Sequence, residues 1–167
     1  MTEPVASRPH MPGYGIDTSA DGLLPWAHAV DRLTNSHDYW LATVSASGHP
    51  AVTPVWGVWH DDALWFSCSP SSRKARNLER DPRITATTDN ALEPVIVEGR
   101  AERIVDTTSV EAYTAWANAK YETDYAVDFY AENWLGRVQP SWVFALVEAD
   151  FATSPTRWRF APSGHAD

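Results

Sequence analysis

The sequence predicts a mainly β protein of the α+β class, in which about six antiparallel strands form a barrel with short flanking helices. Apolar segments with strand-like alternation follow one another, separated by short loops that contain Gly, Pro or Asp. Helical segments are few, and they do not alternate regularly with strands as they would in a parallel α/β sheet. With 167 residues, 44% of them apolar, the chain can form one domain with its own core.

The charge and cysteine content exclude several classes of function. Thirteen Lys and Arg against 22 Asp and Glu give a net charge of −9, so we expect neither a nucleic-acid partner nor binding to an anionic membrane. The single cysteine, Cys68, excludes an internal disulfide, and the six histidines show no metal-ligand spacing. No segment has the length and apolar character of a signal peptide or membrane helix, which favours a soluble, cytoplasmic protein without a metal.

The chain divides into an arm and one domain. Residues 1–22 are rich in Pro, Gly, Ser and Thr, which predicts a flexible N-terminal arm before a single domain over 23–167. The domain opens with a short helix in residues 24–38, where apolar side chains recur at helical spacing. A second short helix is predicted in 69–82, and a helical insertion at about 107–133. The predicted strands are 39–45, 51–60, 63–69, 83–89, 94–106 and 141–154, and residues 156–162 form either one more short strand or an ordered tail.

The segment FSCSPSSRKARNL, residues 66–78, has the features of an anion site. Strand alternation places Ser67 and Ser69 on one face, immediately before a helix start. A helix N-terminus presents unpaired N–H groups and positive potential, and Ser72, Arg73 and Lys74 add further donors. The alternative is a solvated basic helix with a serine N-cap. The same alternation places Cys68 on the opposite face, which predicts a buried and unreactive thiol.

The strand TPVWGVW contains Pro54 and Gly57 inside an otherwise apolar run. Proline removes a hydrogen-bond donor and glycine a side chain, as at a bulge or where a strand faces a ligand. A flat heterocycle could lie on this surface, although Pro54 is equally compatible with an ordinary edge strand.

The run over residues 42–89 resembles the pyridoxamine 5′-phosphate oxidase-like superfamily of flavin-binding proteins. Its specific feature is the ordered succession of a hairpin, a Pro-Val-Trp strand, a serine-rich strand end and an Arg-Lys-x-x-Asn-Leu helix. The resemblance covers roughly residues 38–105 and resumes near 141–160. It implies an FMN-binding split barrel of six strands that forms a homodimer, with two cofactor sites at the dimer interface.

The resemblance also implies which residues bind the cofactor. The phosphate end would lie at the junction of strand and helix, and the ring system beside the Pro-Val-Trp strand. Trp158, near the C-terminus, would reach the cofactor of the partner subunit or, alternatively, pack the barrel end. The implied cofactor-binding set is Pro54, Val55, Trp56, Ser67, Ser69, Ser72, Arg73, Lys74, Asn77 and Trp158.

Within the superfamily, RKARNLERDP and PTRWRF are most similar to the branch that uses coenzyme F420, a deazaflavin hydride carrier. The implied function is hydride transfer from reduced F420 to a small conjugated substrate. An FMN-dependent oxidoreductase and a non-catalytic split barrel that binds a cofactor or tetrapyrrole are the alternatives. Tyr113, Tyr121, Tyr125 and Tyr130 have suitable chemistry for a proton donor, but the sequence assigns no catalytic residue.

Overall fold

A computed structural model describes residues 3–161. Within this range one antiparallel sheet of eight strands is accompanied by four α-helices and one turn of 3₁₀ helix. In chain order the elements are β1 Val5–Ser7, α1 Trp26–Asn35, β2 Asp38–Val44, β3 Pro50–His60, β4 Ala63–Cys68, α2 Arg73–Arg80, β5 Arg83–Thr88, β6 Val95–Ile104, α3 Thr107–Tyr121, α4 Val127–Ala131, β7 Trp134–Ala145, the 3₁₀ turn Glu148–Asp150 and β8 Thr156–Arg159.

Six of the strands close into a barrel. They are hydrogen-bonded in the order β7-β4-β3-β2-β5-β6, and β6 pairs back onto β7, while β8 and β1 extend the sheet beyond β7. The predicted fold, a six-stranded antiparallel split barrel with short flanking helices, is confirmed. Strand β3 is shared between two partners: its first half, through Trp56, pairs with β2, and Gly57–His60 pairs with β4.

The helices cover opposite parts of the barrel because each has one apolar face. Helix α1 buries Trp26, Ala29 and Leu33 in the main core, at the spacing of a single helical face. Helix α3 begins at the N-cap Asp106, whose carboxylate accepts a hydrogen bond from the Ser109 N–H at 2.9 Å. The buried face of α3 forms a second apolar cluster with strands β4 and β7.

Strand β7 differs from its predicted position. The sequence predicted a last long strand over 141–154 and helix up to 133, but β7 runs from Trp134 to Ala145. Gly136 and Pro140 interrupt the apolar pattern, yet both have structural reasons to be there. A Cβ at Gly136 would overlap the Trp134 ring, and Pro140 lies at a bulge opposite Gly99, where a Cβ would collide with the preceding carbonyl of β7.

The described part of the N-terminal arm is held against the domain. Strand β1 pairs with β8, and the Arg8 guanidinium donates hydrogen bonds to the carbonyls of Ser19 and Asp21 within the arm and of Thr153 and Pro155 before β8. Strand β1 and Arg8 therefore connect the described part of the arm to β8 and to the segment before it.

None of the helices described for residues 3–161 has the length and apolar character needed to cross a membrane.

Candidate cofactor site

A pocket of about 490 Å³ opens between the barrel and the helical segment α3–α4. Strand β3 forms one wall, the end of β4 and the start of α2 form a second, and aromatic side chains of α3 and α4 form the third. The pocket lies next to the point where β3 changes partners. The split of the barrel therefore provides the concavity.

The β4–α2 end of the pocket is rich in hydrogen-bond donors. The Ser67 hydroxyl oxygen is buried and has no hydrogen-bond partner among the described residues. Ser69 and Ser71 share a hydroxyl contact of 2.9 Å, and the Ser72 hydroxyl caps α2 by accepting a hydrogen bond from the Ala75 N–H at 3.2 Å. Lys74, half-buried on the first turn of α2, is the one charged side chain among the described residues that lines the pocket.

Those groups suit an anion. The first turn of α2 leaves backbone N–H groups unpaired, and the helix dipole and Lys74 both favour negative charge there. A buried hydroxyl without a partner costs free energy in the empty protein. A phosphate oxygen at this place would accept the hydrogen bond that the Ser67 hydroxyl does not make within the described residues.

The strand wall consists of Pro54, Val55 and Trp56. Trp56 is partly exposed and stacks on Tyr121, with ring centroids 4.3 Å apart and planes only 4° from parallel. On the side of β3 away from β2, these residues have no β4 partner, since the β4 pairing begins at Gly57. Their backbone edge is available to a ligand.

Tyr121 occupies the place of the next rung in the β2–β3 ladder. Asp38 is the last β2 residue paired with Trp56, so His37 and Gly57 would pair next. Instead, the Tyr121 hydroxyl accepts a hydrogen bond from the Gly57 N–H at 2.7 Å and lies 2.7 Å from the His37 carbonyl oxygen, to which it donates. Burial raises the pKa of Tyr121 to about 12, so the phenol keeps its proton at neutral pH.

The neighbouring Lys120 strengthens this connection between α3 and β3. Its ammonium donates hydrogen bonds to the Gly57 carbonyl at 2.8 Å and to the Tyr39 hydroxyl at 3.2 Å. Burial lowers the pKa of Lys120 to about 8, although Asp38 and Asp89 oppose the shift. The end of α3 is thereby fixed to the strand that forms the pocket wall.

The third wall is aromatic. Tyr113, Tyr125, Phe129 and Tyr130 line it, with Ala117 and Asn133 between them. Burial raises the pKa of Tyr113 and of Tyr130, so both are neutral phenols at physiological pH. This end of the pocket therefore contacts a ligand through ring faces and hydroxyl groups, without a formal charge.

Seven of the ten residues in the predicted cofactor-binding set line this pocket. They are Pro54, Val55, Trp56, Ser67, Ser69, Ser72 and Lys74. Arg73 is exposed beside the pocket rather than in its wall, and makes no hydrogen bond or ion pair within residues 3–161.

The other two members of the predicted set lie elsewhere. The buried Asn77 amide donates a hydrogen bond to the Thr43 hydroxyl at 2.9 Å, so Asn77 fixes α2 onto β2. Trp158 is only 1% exposed and packs edge to face against Trp26 in the main core, with centroids 5.5 Å apart. Neither side chain lines the pocket of this chain, because both are enclosed by the fold.

Cys68 was expected to face away from Ser67 and Ser69, but the structure places it partly in the pocket. It packs against the core but also lines the pocket, where its sulfur accepts a contact from the Ser72 hydroxyl at 3.5 Å. Strand alternation no longer applies there, since β4 ends at Cys68. Burial raises the pKa of the thiol, which disfavours the reactive thiolate. Sequence reasoning also missed Ala117, Phe129 and Asn133, for which the aromatic density of 113–134 was the available signal.

The described part of the chain has no group of three or more His, Cys, Asp or Glu side chains placed to hold a metal ion. The pocket instead combines an anion-binding end with an aromatic end.

Comparison with known proteins places the sequence in a family. The family model described as pyridoxamine 5′-phosphate oxidase matches residues 26–143, which include β2 to β6, α2 and most of β7. Among proteins of curated function, none matches.

Several solved structures have the same fold. A conserved hypothetical protein from Mycobacterium tuberculosis has 22% identity and a TM-score of 0.68, over 84% of this chain and 88% of its own. A structure described as an F420 reductase has 24% identity and a TM-score of 0.57, over 68% and 93%. General stress protein 26 from Bacillus anthracis has 17% identity and a TM-score of 0.60, over 71% and 91%. These similarities establish the shared fold.

Proposed function

Because the chain belongs to the pyridoxamine 5′-phosphate oxidase family, we propose that it is an oxidoreductase whose phosphorylated cofactor binds in the pocket between β3, α2 and α3–α4. The cofactor proposed is coenzyme F420, with FMN as the alternative. The observation that carries the proposal is the buried, unpartnered Ser67 hydroxyl beside the half-buried Lys74 at the start of α2.

The cofactor phosphate is assigned to the β4–α2 end. Ser67 and Ser69 donate from the strand end, the first turn of α2 donates backbone N–H groups, and Lys74 supplies the positive charge. The surroundings keep this arrangement fixed, since Asn77 bonds to Thr43 and the Trp134 indole N–H donates to the Glu79 carboxylate at 2.6 Å. A site preorganised in this way loses little entropy on binding.

The ring system is assigned to the other end. Pro54 to Trp56 present a strand edge without a β4 partner, and aromatic rings line the opposite side. When bound, the deazaflavin supplies a hydride to a small conjugated substrate, and the protein supplies orientation and a dry environment. Among the tyrosines that line the pocket, Tyr121 donates its phenol proton to a backbone carbonyl.

Arg73 favours F420 over FMN. FMN ends at its phosphate, whereas F420 continues beyond the phosphate into a tail that carries carboxylates. The exposed Arg73 begins α2 just outside the pocket and has no ionic partner in the described range. Its place beside the phosphate end suits an extra carboxylate. The structure described as an F420 reductase, at 24% identity, is in keeping with this choice.

Paired titrations test the cofactor and its identity together. F420 and FMN are titrated into the protein and into Arg73→Ala, with binding followed by cofactor fluorescence. We expect tighter binding of F420, and a weakening by Arg73→Ala of about threefold or more for F420 but not for FMN, as for one exposed ion pair. Tighter binding of FMN than of F420 would favour the alternative, and binding of neither would refute the proposal.

The homodimer is also part of the proposal. The outer face of β2 and β3 exposes the large apolar side chains Trp40, Val44, Val52 and Trp56, of which Val52 is 57% exposed. A continuous apolar face of this kind is typical of an interface. It adjoins the pocket at Trp56, so a second copy of the chain seated here would lie next to the bound cofactor.

Light scattering across a concentration series tests the dimer. We expect a dimer for the natural chain and a monomer for Val52→Asp, because a carboxylate would be buried in the interface without a partner. Val105→Asp, at another exposed valine outside this face, is the matched control and should remain dimeric. A monomeric natural chain would refute this part of the proposal.

A hydride-transfer assay distinguishes an oxidoreductase from the non-catalytic alternative. Reduced cofactor bound to the protein is mixed with a panel of enones, quinones and nitroaromatics, and its reoxidation is followed by absorbance. An oxidoreductase accelerates reoxidation with at least one of them. Protection of the reduced cofactor from every acceptor would indicate a carrier.

A further inference from the structure

The aromatic wall contains two rings that the fold leaves exposed. Tyr125 and Phe129 stack on each other with centroids 4.4 Å apart and an interplanar angle of 14°, yet remain 41% and 46% exposed. Both line the pocket. We call Tyr125 and Phe129 the stacked pair. Large rings that are only half covered retain apolar surface that a ligand can bury.

The backbone holds the stacked pair in place. The Asn118 side chain bonds to both backbone groups of Tyr125: its amide N–H donates to the Tyr125 carbonyl at 2.9 Å, and its amide oxygen accepts from the Tyr125 N–H at 3.1 Å. Tyr130, which is buried, packs edge to face against Phe129 with centroids 5.0 Å apart. The two rings are therefore a rigid surface, which reduces the entropy lost on stacking.

The segment around the stacked pair is acidic. Glu122, Asp124, Asp128 and Glu132 are exposed, and none of them takes part in an ion pair formed by the described residues. Asp128 precedes Phe129, and Glu132 lies one helical turn after it. Carboxylates this near are within the screening length of physiological salt. Negative potential therefore surrounds the aromatic end, while the positive Lys74 lies at the far end of the pocket.

On the basis of the proposed cofactor site, we propose that the stacked pair is the substrate platform and that it selects planar aromatic substrates without negative charge. The phosphate end and the ring of the cofactor use the α2 and β3 walls, which leaves the exposed faces of Tyr125 and Phe129 for the second ligand. Stacking provides the affinity, and the acidic segment disfavours anions.

Two ligands of the same shape test this inference. Naphthamide is neutral and naphthoate is an anion, and both have one planar ring system. Each is titrated by calorimetry into the protein saturated with F420, and into the protein without cofactor. We expect naphthamide to bind more tightly than naphthoate, and Phe129→Ala or Tyr125→Ala to weaken naphthamide binding by about fivefold. Tyr14→Ala, at an exposed aromatic residue outside the pocket, is the matched control and should have no effect.

The charge effect has a separate test. Asp128→Asn combined with Glu132→Gln should raise the affinity for naphthoate by about threefold and leave that for naphthamide unchanged, with the gain lost at high salt. Unchanged naphthamide binding in Phe129→Ala and Tyr125→Ala, or equal wild-type affinity for the two ligands, would overturn the inference.

Cofactor titrations distinguish a failure of this inference from a failure of the proposed function. If F420 binds but Tyr125→Ala and Phe129→Ala leave the affinity for naphthamide unchanged, the substrate platform is wrong and the cofactor site stands. If neither F420 nor FMN binds while naphthamide still depends on the stacked pair, the proposed function is wrong and the aromatic site stands.

Discussion

Replacement of Lys74 by alanine should weaken cofactor binding more than any other single change on α2. Within residues 3–161, Lys74 is the one charged side chain lining the pocket, and it lies half-buried on the first turn of the helix. A hydrogen bond to a charged group contributes about 1.5–3 kcal/mol, which corresponds to a dissociation constant about 10- to 150-fold higher. Lys74→Arg keeps the charge and should lose less.

The assay is a fluorescence titration at fixed ionic strength, with Arg80→Ala as the matched control. Arg80 is on the same helix, but it is exposed and its guanidinium donates to the Val44 carbonyl at 2.6 Å, away from the pocket. We expect its variant to bind the cofactor normally. Both variants should melt within about 2 °C of the natural chain, since they replace side chains outside the core. An unchanged dissociation constant in Lys74→Ala would refute the assignment of the phosphate.

Three further predictions follow from buried groups in or near the pocket. Ser67→Ala should raise the free energy of unfolding of the empty protein by up to about 1 kcal/mol, because it removes a buried hydroxyl without a partner, yet weaken cofactor binding by about tenfold; loss of stability in the empty protein would contradict this. Cys68, the only thiol, should react slowly with iodoacetamide at neutral pH, faster as the pH rises toward its raised pKa, and more slowly with cofactor bound, as measured by mass spectrometry; identical rates with and without cofactor would place the ligand elsewhere. Burial lowers the pKa of Lys120 to about 8, so between pH 8 and its ordinary value of 10.5 the unfolded chain binds more protons and stability rises with pH; denaturant unfolding of the natural chain and Lys120→Met should show this difference, and parallel pH profiles would exclude it.

The phosphate end was predictable because its signals are local. Ser67, Ser69, Ser72 and Lys74 are close in sequence, and a strand end leading into a helix brings them together by geometry alone. Asn77 belonged to the same local pattern, but a helix has two faces, and its side chain is on the one that packs against β2. Local sequence predicts the helix more readily than the direction of each side chain.

The aromatic end depended on tertiary packing. The sequence indicates four tyrosines as candidate proton donors by their chemistry alone, and it does not indicate that they line the same pocket. They are Tyr113, Tyr121, Tyr125 and Tyr130. That arrangement follows from how α3 packs on β4 and β7, and from the hydrogen bonds of Tyr121 at the break in the β2–β3 ladder. Neither feature has a signature in a single stretch of sequence.

The position of strand β7 and the packing of Trp158 both depend on contacts between residues distant in the chain. Gly136 and Pro140 suggest an interruption when only neighbours in sequence are considered, but Gly136 leaves room for the Phe66 ring and Pro140 lies at the bulge opposite Gly99. The resemblance left Trp158 with two alternatives, and in the structure it packs on Trp26 in the core, a contact that joins the two ends of the domain. Long-range contacts of this kind become evident only when the barrel is closed.

Amide hydrogen exchange with and without saturating F420 tests the central claim most directly, because it locates the bound cofactor along the backbone. Our account predicts slower exchange at residues 54–57 of β3 and 67–75 across the β4–α2 junction, with little change in β1 and β8 at the far edge of the sheet. Protection confined to other parts of the chain, or no protection at saturating cofactor, would contradict it.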